Sequence, residues 1–194
     1  MTKLKYRLEP EEYLFRIYYV DGMKGGLVSG PKNLSQEGDC WIYENARALG
    51  DSRVSENAQL YDKSRISDNA QIKGNTSLSD NSRVGDSAQI SGNITVRGDS
   101  YIGGRVKLRG KSNIDDIELY GNNIVSRTPI VITSEYYKII ITDNFLNIGC
   151  QSHRLAKWES FTKENFPVED YYDLWRKNKS WLLRVAREHQ AKRR

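Results

Sequence analysis

From Asp39 to Asp116 the chain divides, without a gap, into thirteen blocks of six residues, among them NARALG, DSRVSE, NAQLYD, KSRISD and NAQIKG. The fourth place is Ile42, Ala48, Val54, Leu60, Ile66, Ile72, Leu78, Val84, Ile90, Val96, Ile102, Leu108 and Ile114, so twelve of thirteen are Leu, Ile or Val. The second place is small nearly throughout, from Cys40 and Ala46 to Ser100 and Ser112, with Ile94 and Val106 the larger exceptions. The sixth and first places hold Gly, Asp or Glu followed, in every block but the one beginning at Arg105, by Asn, Asp, Ser or Lys.

A period of six excludes an amphipathic helix, whose apolar positions recur every 3.6 residues. Positions two and four of a block point to the same side of a strand, and position three points to the other. The residues at six and one tolerate tight or left-handed backbone. Each block is therefore one short strand and one turn. Such a strand cannot bury itself, but stacked copies bury a continuous core, as in a parallel β-helix. Hydrophobic content of only 38% suits a thin prism that exposes most of its surface.

The repeat resembles the hexapeptide repeat of left-handed parallel β-helices, in which an aliphatic residue is followed four places later by a small one. Val54 and Ala58, Leu60 and Ser64, and Ile66 and Ala70 obey that rule. The resemblance implies a triangular coil of three blocks, hence about four coils over residues 39–116. The run from Asn33 to Tyr43, followed by Asn45-Ala46, is similar to the segment leading into the first coil of YdcK-like hexapeptide proteins of enterobacteria, phages and prophages. That likeness covers roughly residues 4–133. Within that group a transferase assignment rests on the fold alone, which is an analogy and not chemistry.

The expected organisation is mainly β, in three parts. Residues 1–38 form an N-terminal β cap, with strands at 3–8 and 13–20 and a turn at Glu9-Pro10. Residues 39–122 form the β-helix. Residues 123–194 form a small α/β module, after the register breaks at Asp116. There, 130–132, 136–142 and 145–148 read as strands with Asp143-Asn144 as a tight turn, and 154–165 and 169–191 read as helices.

Hexapeptide acyltransferases generally use a histidine near a coil face or on a loop leaving the helix. The two histidines, His153 and His189, both lie outside the repeat, and no loop interrupts the blocks. Catalytic, cofactor and metal sites are accordingly expected to be absent. Cys150 and His153 make a lone C-x-x-H, half of a zinc site at best. Cys150 is expected to be buried and His153 to begin a helix, while Cys40 falls on an inward repeat position.

Eighteen-residue stacking would align Arg47, Arg65 and Arg83 on one outer face, continued by Tyr101. Asp62, Asp68, Asp80 and Asp86 at adjoining turns are expected to neutralise them, because the repeat carries eleven basic and eleven acidic residues. The net charge of +5 comes mainly from residues 117–194, with thirteen basic and nine acidic side chains. On the last helix, Trp175 and Trp181 cannot easily share a face, so one is expected to stay exposed beside Arg184 and Arg187. Arg193 and Arg194 extend that basic tail. Asn57, Asn75 and Asn93 should form a structural ladder at one corner.

A second basic group (Arg97, Arg105, Lys107, Arg109, Lys111) lacks the stacking aromatics that nucleic acid would need. The first residues, MTKLKYRLEP, lack the apolar core of a signal peptide, and no apolar run spans a membrane, so a cytoplasmic setting is expected. The leading functional expectation is a non-catalytic protein acting by protein–protein contact, of the phage or prophage accessory kind that blocks a host factor such as a defence nuclease. The alternatives are a hexapeptide-class acyltransferase and a structural assembly unit. A protein partner is expected, and a homo-oligomer, dimer or trimer, of which the trimer is the form the acyltransferase relatives imply. The candidate contact residues are Arg47, Arg65, Arg83, Tyr101, Trp175, Trp181, Arg184 and Arg187.

Overall fold

The computed structural model describes residues 4–133, 137–168 and 172–192. The starts expected at residues 3, 136 and 169, and the tail residues Arg193 and Arg194, lie outside the described residues. The chain divides after Thr128 into two compact units.

The first unit is a β-solenoid of stacked parallel strands. Residues eighteen apart are neighbours: Arg47 pairs with Arg65, Trp41 with Gln59, and Arg53 with Gln71, in three separate columns. The interior is built as the block pattern requires. Val54, Ile72, Ile90 and Leu108 follow one another down one column, all buried. Each fully buried aliphatic side chain contributes roughly 1.5–3 kcal/mol relative to exposure.

The corners are where the sequence is most exacting. Twelve of the thirteen block-ending residues, all but Glu44, have positive φ. The acidic corner residues do more than turn the chain. Asp62 accepts a hydrogen bond from the Asp80 N–H (3.1 Å), Asp68 from Asp86 (3.1 Å), Asp80 from Gly98 (3.0 Å) and Asp86 from Gly104 (2.7 Å). Glu56 accepts likewise from Gly74 at 3.0 Å. Each carboxylate thus latches its own rung to the corner amide of the next. At the neighbouring place, Asn57 donates to Asn75 at 2.9 Å, so this part of the asparagine ladder does bond coil to coil.

These latches predict acid sensitivity. The Ser67 hydroxyl, then the Asp86 N–H, hold the Asp68 carboxyl below its ordinary pKa. A carboxyl with a depressed folded-state pKa contributes stability that is complete above its unfolded value, about 4, and is lost as pH falls through the folded value. The melting temperature should therefore fall on acidification below about pH 4. Asp68→Asn should melt lower than wild type at pH 7 and show a shallower decline; parallel curves would remove Asp68 from the effect.

The stack runs past both ends of the block repeat. At its start, β1 (Tyr6–Glu11) and β2 (Leu14–Tyr19) form an antiparallel hairpin. β3 (Lys24–Val28) pairs antiparallel with β2 and parallel with Arg47–Ala48. The hairpin turn lies at Glu12-Tyr13, not at the expected Glu9-Pro10. Pro10 sits inside β1 opposite Phe15, tolerated because β1 is an edge strand that need not donate there. Gly26 is required by proximity, since a Cβ there would stand 2.4 Å from the Ala46 carbonyl oxygen.

At the far end, Tyr101 pairs with Glu118, a spacing of seventeen, and Lys107 pairs with Ile124. One residue is skipped at Asp116, after which Ile117 and Leu119 return to the interior. The break expected after Asp116 is therefore a slip, and strand pairing continues to Arg127. One column consequently holds six parallel strands, from β3 to Glu118–Leu119.

The second unit is a four-stranded antiparallel sheet (Ile130–Thr133, Lys138–Ile141, Leu146–Ile148, Gln151–His153) with α1 (Leu155–Ser160) and α2 (Tyr172–Ala191). Its core joins Ile139, Ile141 and Leu146 to Trp158, Phe161, Trp175 and Leu182. No helix among the described residues is long and apolar enough to cross a membrane.

Candidate functional site

The arginine ladder forms as the period implies. Arg47, Arg65, Arg83 and Tyr101 are successive partners in one parallel column, with Glu118 next. They occupy position three, which points outward, and the three arginines are exposed. The equivalent places of the second column carry Gln59, Ser77 and Thr95. The third carries Arg53, Gln71, Gln89 and Lys107. Three cations in consecutive rungs occur in the first column alone.

The expected neutralisation by Asp62, Asp68, Asp80 and Asp86 does not take the form of ion pairs. Their oxygens face the corner amides of the next rung, and no ion pair within 4.0 Å joins Arg47, Arg65 or Arg83 to a carboxylate among the described residues. After the hydrogen bonds from Ser67 and Asp86, Arg65 also lowers the pKa of Asp68 through space, so the acids soften the field without capping the guanidinium groups. Arg97, by contrast, is paired with Asp115 at 2.7 Å, which holds the Arg97 pKa above its ordinary value.

Like charges directly opposite on neighbouring strands, about 4.8 Å apart, repel one another. Arg65, with a cation on either side, bears most of that cost. Arg65→Gln, the residue type used at the same place in the neighbouring columns, should leave the fold intact and raise stability by a few tenths of a kcal/mol. A urea titration at low salt checks this. A loss of more than about 1 kcal/mol would mean that Arg65 makes a contact essential to folding.

Two grooves bracket the ladder. Beyond Arg83 lies one of 380 Å³, lined by Arg83, Asp99, Tyr101, Glu118 and Tyr120. The Tyr101 and Tyr120 rings lie 5.1 Å apart, and burial followed by Asp86 pushes the Tyr101 hydroxyl pKa up. Gly103 is required by proximity to one of these rings, since a Cβ there would meet Tyr101 at 2.5 Å. Before Arg47 lies a second groove, of 320 Å³, which includes Tyr13, Leu14, Glu44 and Arg47. Tyr13 is 98% exposed and Tyr120 49% exposed. The hexads predicted the arginines but not these flanking tyrosines. Tyr13 belongs to a hairpin turn, and Tyr120 follows the one-residue slip.

The candidates in the second unit divide. Trp175 is 3% exposed and belongs to the core, so it is not an anchor available at the surface. Trp181, at 44%, is the exposed tryptophan. It lies one turn from Arg184 on the open face of α2, whereas Arg187 is paired with Glu159. His153 lies on the last strand rather than at a helix start, packed edge-on against Trp158 and Phe161 at 5.4 Å. Burial, then Lys157, lowers its pKa. Cys150 is exposed in the turn after Gly149, contrary to expectation, because that hairpin tip leaves the core. Cys40 is buried, its sulfur 3.2 Å from Lys5 Nζ. His189 is buried on α2, with Nε2 3.9 Å from Asp143. No group of three or more His, Cys, Asp or Glu side chains suited to a metal ion occurs among the described residues.

No family model and no curated protein matches the sequence.

Proposed function

We propose that this chain is a non-catalytic β-solenoid that acts by binding another protein, and that the ladder of Arg47, Arg65 and Arg83 is the centre of the contact. The observation that carries this reading is the bare state of the ladder: three stacked cations without an ion-paired carboxylate among the described residues, while the nearby acids serve the corner amides. Such a stack is unfavourable alone and is relieved by an anionic surface. Exposed tyrosines at both ends supply the aromatic component that, with arginine, dominates protein interfaces. The partner therefore presents carboxylates in a row, bounded by positions that accept an aromatic ring.

The rigid prism fixes the spacing of these groups, so little ordering entropy is lost on binding. A left-handed winding, as in the hexapeptide proteins the sequence resembles, belongs to the same reading. So does the role of an accessory protein of phage or prophage type that occupies a host factor. In this reading the exposed Trp181 and Arg184 are not part of the contact.

The test is a pull-down from host lysate with the full chain in three forms. Wild type and Arg184→Glu/Arg187→Glu should retain the same stoichiometric protein, and Arg47→Glu/Arg65→Glu/Arg83→Glu should lose it. Retention by the triple variant, or no partner together with a melting temperature raised by acyl-coenzyme A, would contradict the proposal and favour the transferase reading.

A further inference from the structure

The column that carries the ladder changes sign along its length, and the change restricts what can lie on it. Arg47, Arg65 and Arg83 occupy successive rungs, followed by Tyr101 and then Glu118. Asp99, in the Tyr101 rung, lines the groove beyond Arg83 together with Glu118, Tyr101 and Tyr120. The side chains that donate to these two carboxylates are neutral: Asn81 Nδ2 donates to Asp99 at 3.0 Å, and the Tyr120 hydroxyl donates to Glu118 at 3.2 Å. Among the described residues no ion pair within 4.0 Å joins Asp99 or Glu118 to a cation. Both are exposed. Such carboxylates beside tyrosine rings make a seat for a cation, which is drawn to the ring faces as well as to the charges.

The order of signs disfavours a continuous polyanion. Nucleic acid laid along Arg47, Arg65 and Arg83 would carry its phosphates over Asp99 and Glu118 at one end. At the other end it would meet Glu12 and Glu44, which line the groove before Arg47. A protein element, in contrast, can present both signs in sequence.

Spacing then selects the element. Rungs about 4.8 Å apart put Arg83 about 10 Å from Arg47. On an α-helix, which rises about 1.5 Å per residue, positions i and i+7 are about 10.5 Å apart, and i+4 lies between them on the same face. In an extended strand three residues of one face span about 13 Å, and the mismatch grows with every further rung. The helix keeps step: i+11 lies about 16.5 Å along, between the Tyr101 rung at about 14 Å and the Glu118 rung at about 19 Å.

We propose that this column takes one α-helix of the partner, with carboxylates at i, i+4 and i+7 on Arg47, Arg65 and Arg83 and a Lys or Arg at i+11 seated against Tyr101, Asp99 and Glu118. This rests on the ladder being the contact, and it adds the shape and charge order of what the ladder contacts.

The probe is a fluorescent alanine-based peptide with Glu at i, i+4 and i+7 and Lys at i+11, held helical by a hydrocarbon staple on its opposite face. It is titrated with the full chain at low salt. Replacing its Lys by Glu should weaken binding by about tenfold or more, because like charges then face each other. Glu118→Lys in the chain should reverse that preference, so that the all-Glu peptide becomes the tighter ligand. An unstapled peptide with the same charges and a central Pro should bind several-fold more weakly than the stapled one. A DNA duplex at equal charge concentration should not displace the stapled peptide. The proposal is overturned if the stapled peptide fails to bind, if Lys and Glu at i+11 are equivalent, or if Glu118→Lys leaves their order unchanged. Equal binding of the Pro peptide, or displacement by the duplex, overturns it as well. Loss of the lysate partner by Arg47→Glu/Arg65→Glu/Arg83→Glu would stand whichever of these results is found, so the ladder and its helical ligand are tested separately.

Discussion

Ile72→Ala should destabilise the first unit by about 2–5 kcal/mol, enough to remove a large part of its total stability. Ile72 is fully buried and sits between Val54 and Ile90 in one interior column. Its truncation removes apolar contact with both neighbouring rungs and leaves a cavity that the stack cannot close. Strand pairing holds each rung about 4.8 Å from the next, so the walls cannot collapse inward at one level without breaking their ladder. The same truncation one residue earlier, at an outward position, tests the alternation directly. Gln71→Ala should cost less than about 0.5 kcal/mol, since the side chain is exposed. Urea unfolding followed by far-ultraviolet circular dichroism measures both. Equal effects at the two adjacent positions would contradict the assignment of inside and outside.

The second large effect is expected at a corner. Gly92 has φ +118, a conformation that residues with a Cβ rarely adopt, and an added Cβ would stand 2.3 Å from the Gly110 carbonyl oxygen. Strain of this kind costs of order 1–3 kcal/mol, and the collision with backbone adds to it. Gly92→Ala should therefore lower stability by roughly 3 kcal/mol or more. The collision is with the next rung, so the damage spreads beyond one turn. Gly121 is the control. It has φ +68, which Asn tolerates, and its Cβ would meet nothing within 4 Å. Gly121→Asn should change stability by less than about 1 kcal/mol. A comparable melting temperature for the two variants would show that the corner of the Gly92 rung has room for a side chain.

The period of six was enough to read the columns. Alternation at Arg65-Ile66 or Arg83-Val84 assigns inside and outside whatever the rest of the chain does, and stacking by eighteen then places Arg47, Arg65 and Arg83 together. Legibility failed where the spacing departs from eighteen. Leu27 pairs with Arg47 at a spacing of twenty, and Tyr101 with Glu118 at seventeen. A search allowing one missing residue after Asp116 would have recovered Ile117, Leu119 and Val125 as interior positions.

The corner acids were readable as turn formers but not as latches, because a side chain's partner in the next rung depends on its rotamer and on the path of the corner. Pro10 misled for a related reason. It marks a turn by local preference, yet an edge strand accepts it. In the second unit, helical periodicity allowed only one of Trp175 and Trp181 to be buried without saying which. That choice is made by the sheet and by Phe166.

Stacking at a period of eighteen is open to direct measurement as the distance between spin labels at positions 47 and 118, both exposed and on the same column. Four rung steps separate them, so the backbones should lie about 19 Å apart, with a narrow distribution once the label linkers are included. A broad distribution, or one centred at a clearly longer distance, would mean that residues eighteen apart do not stack, and neither the cation ladder nor its flanking grooves would exist.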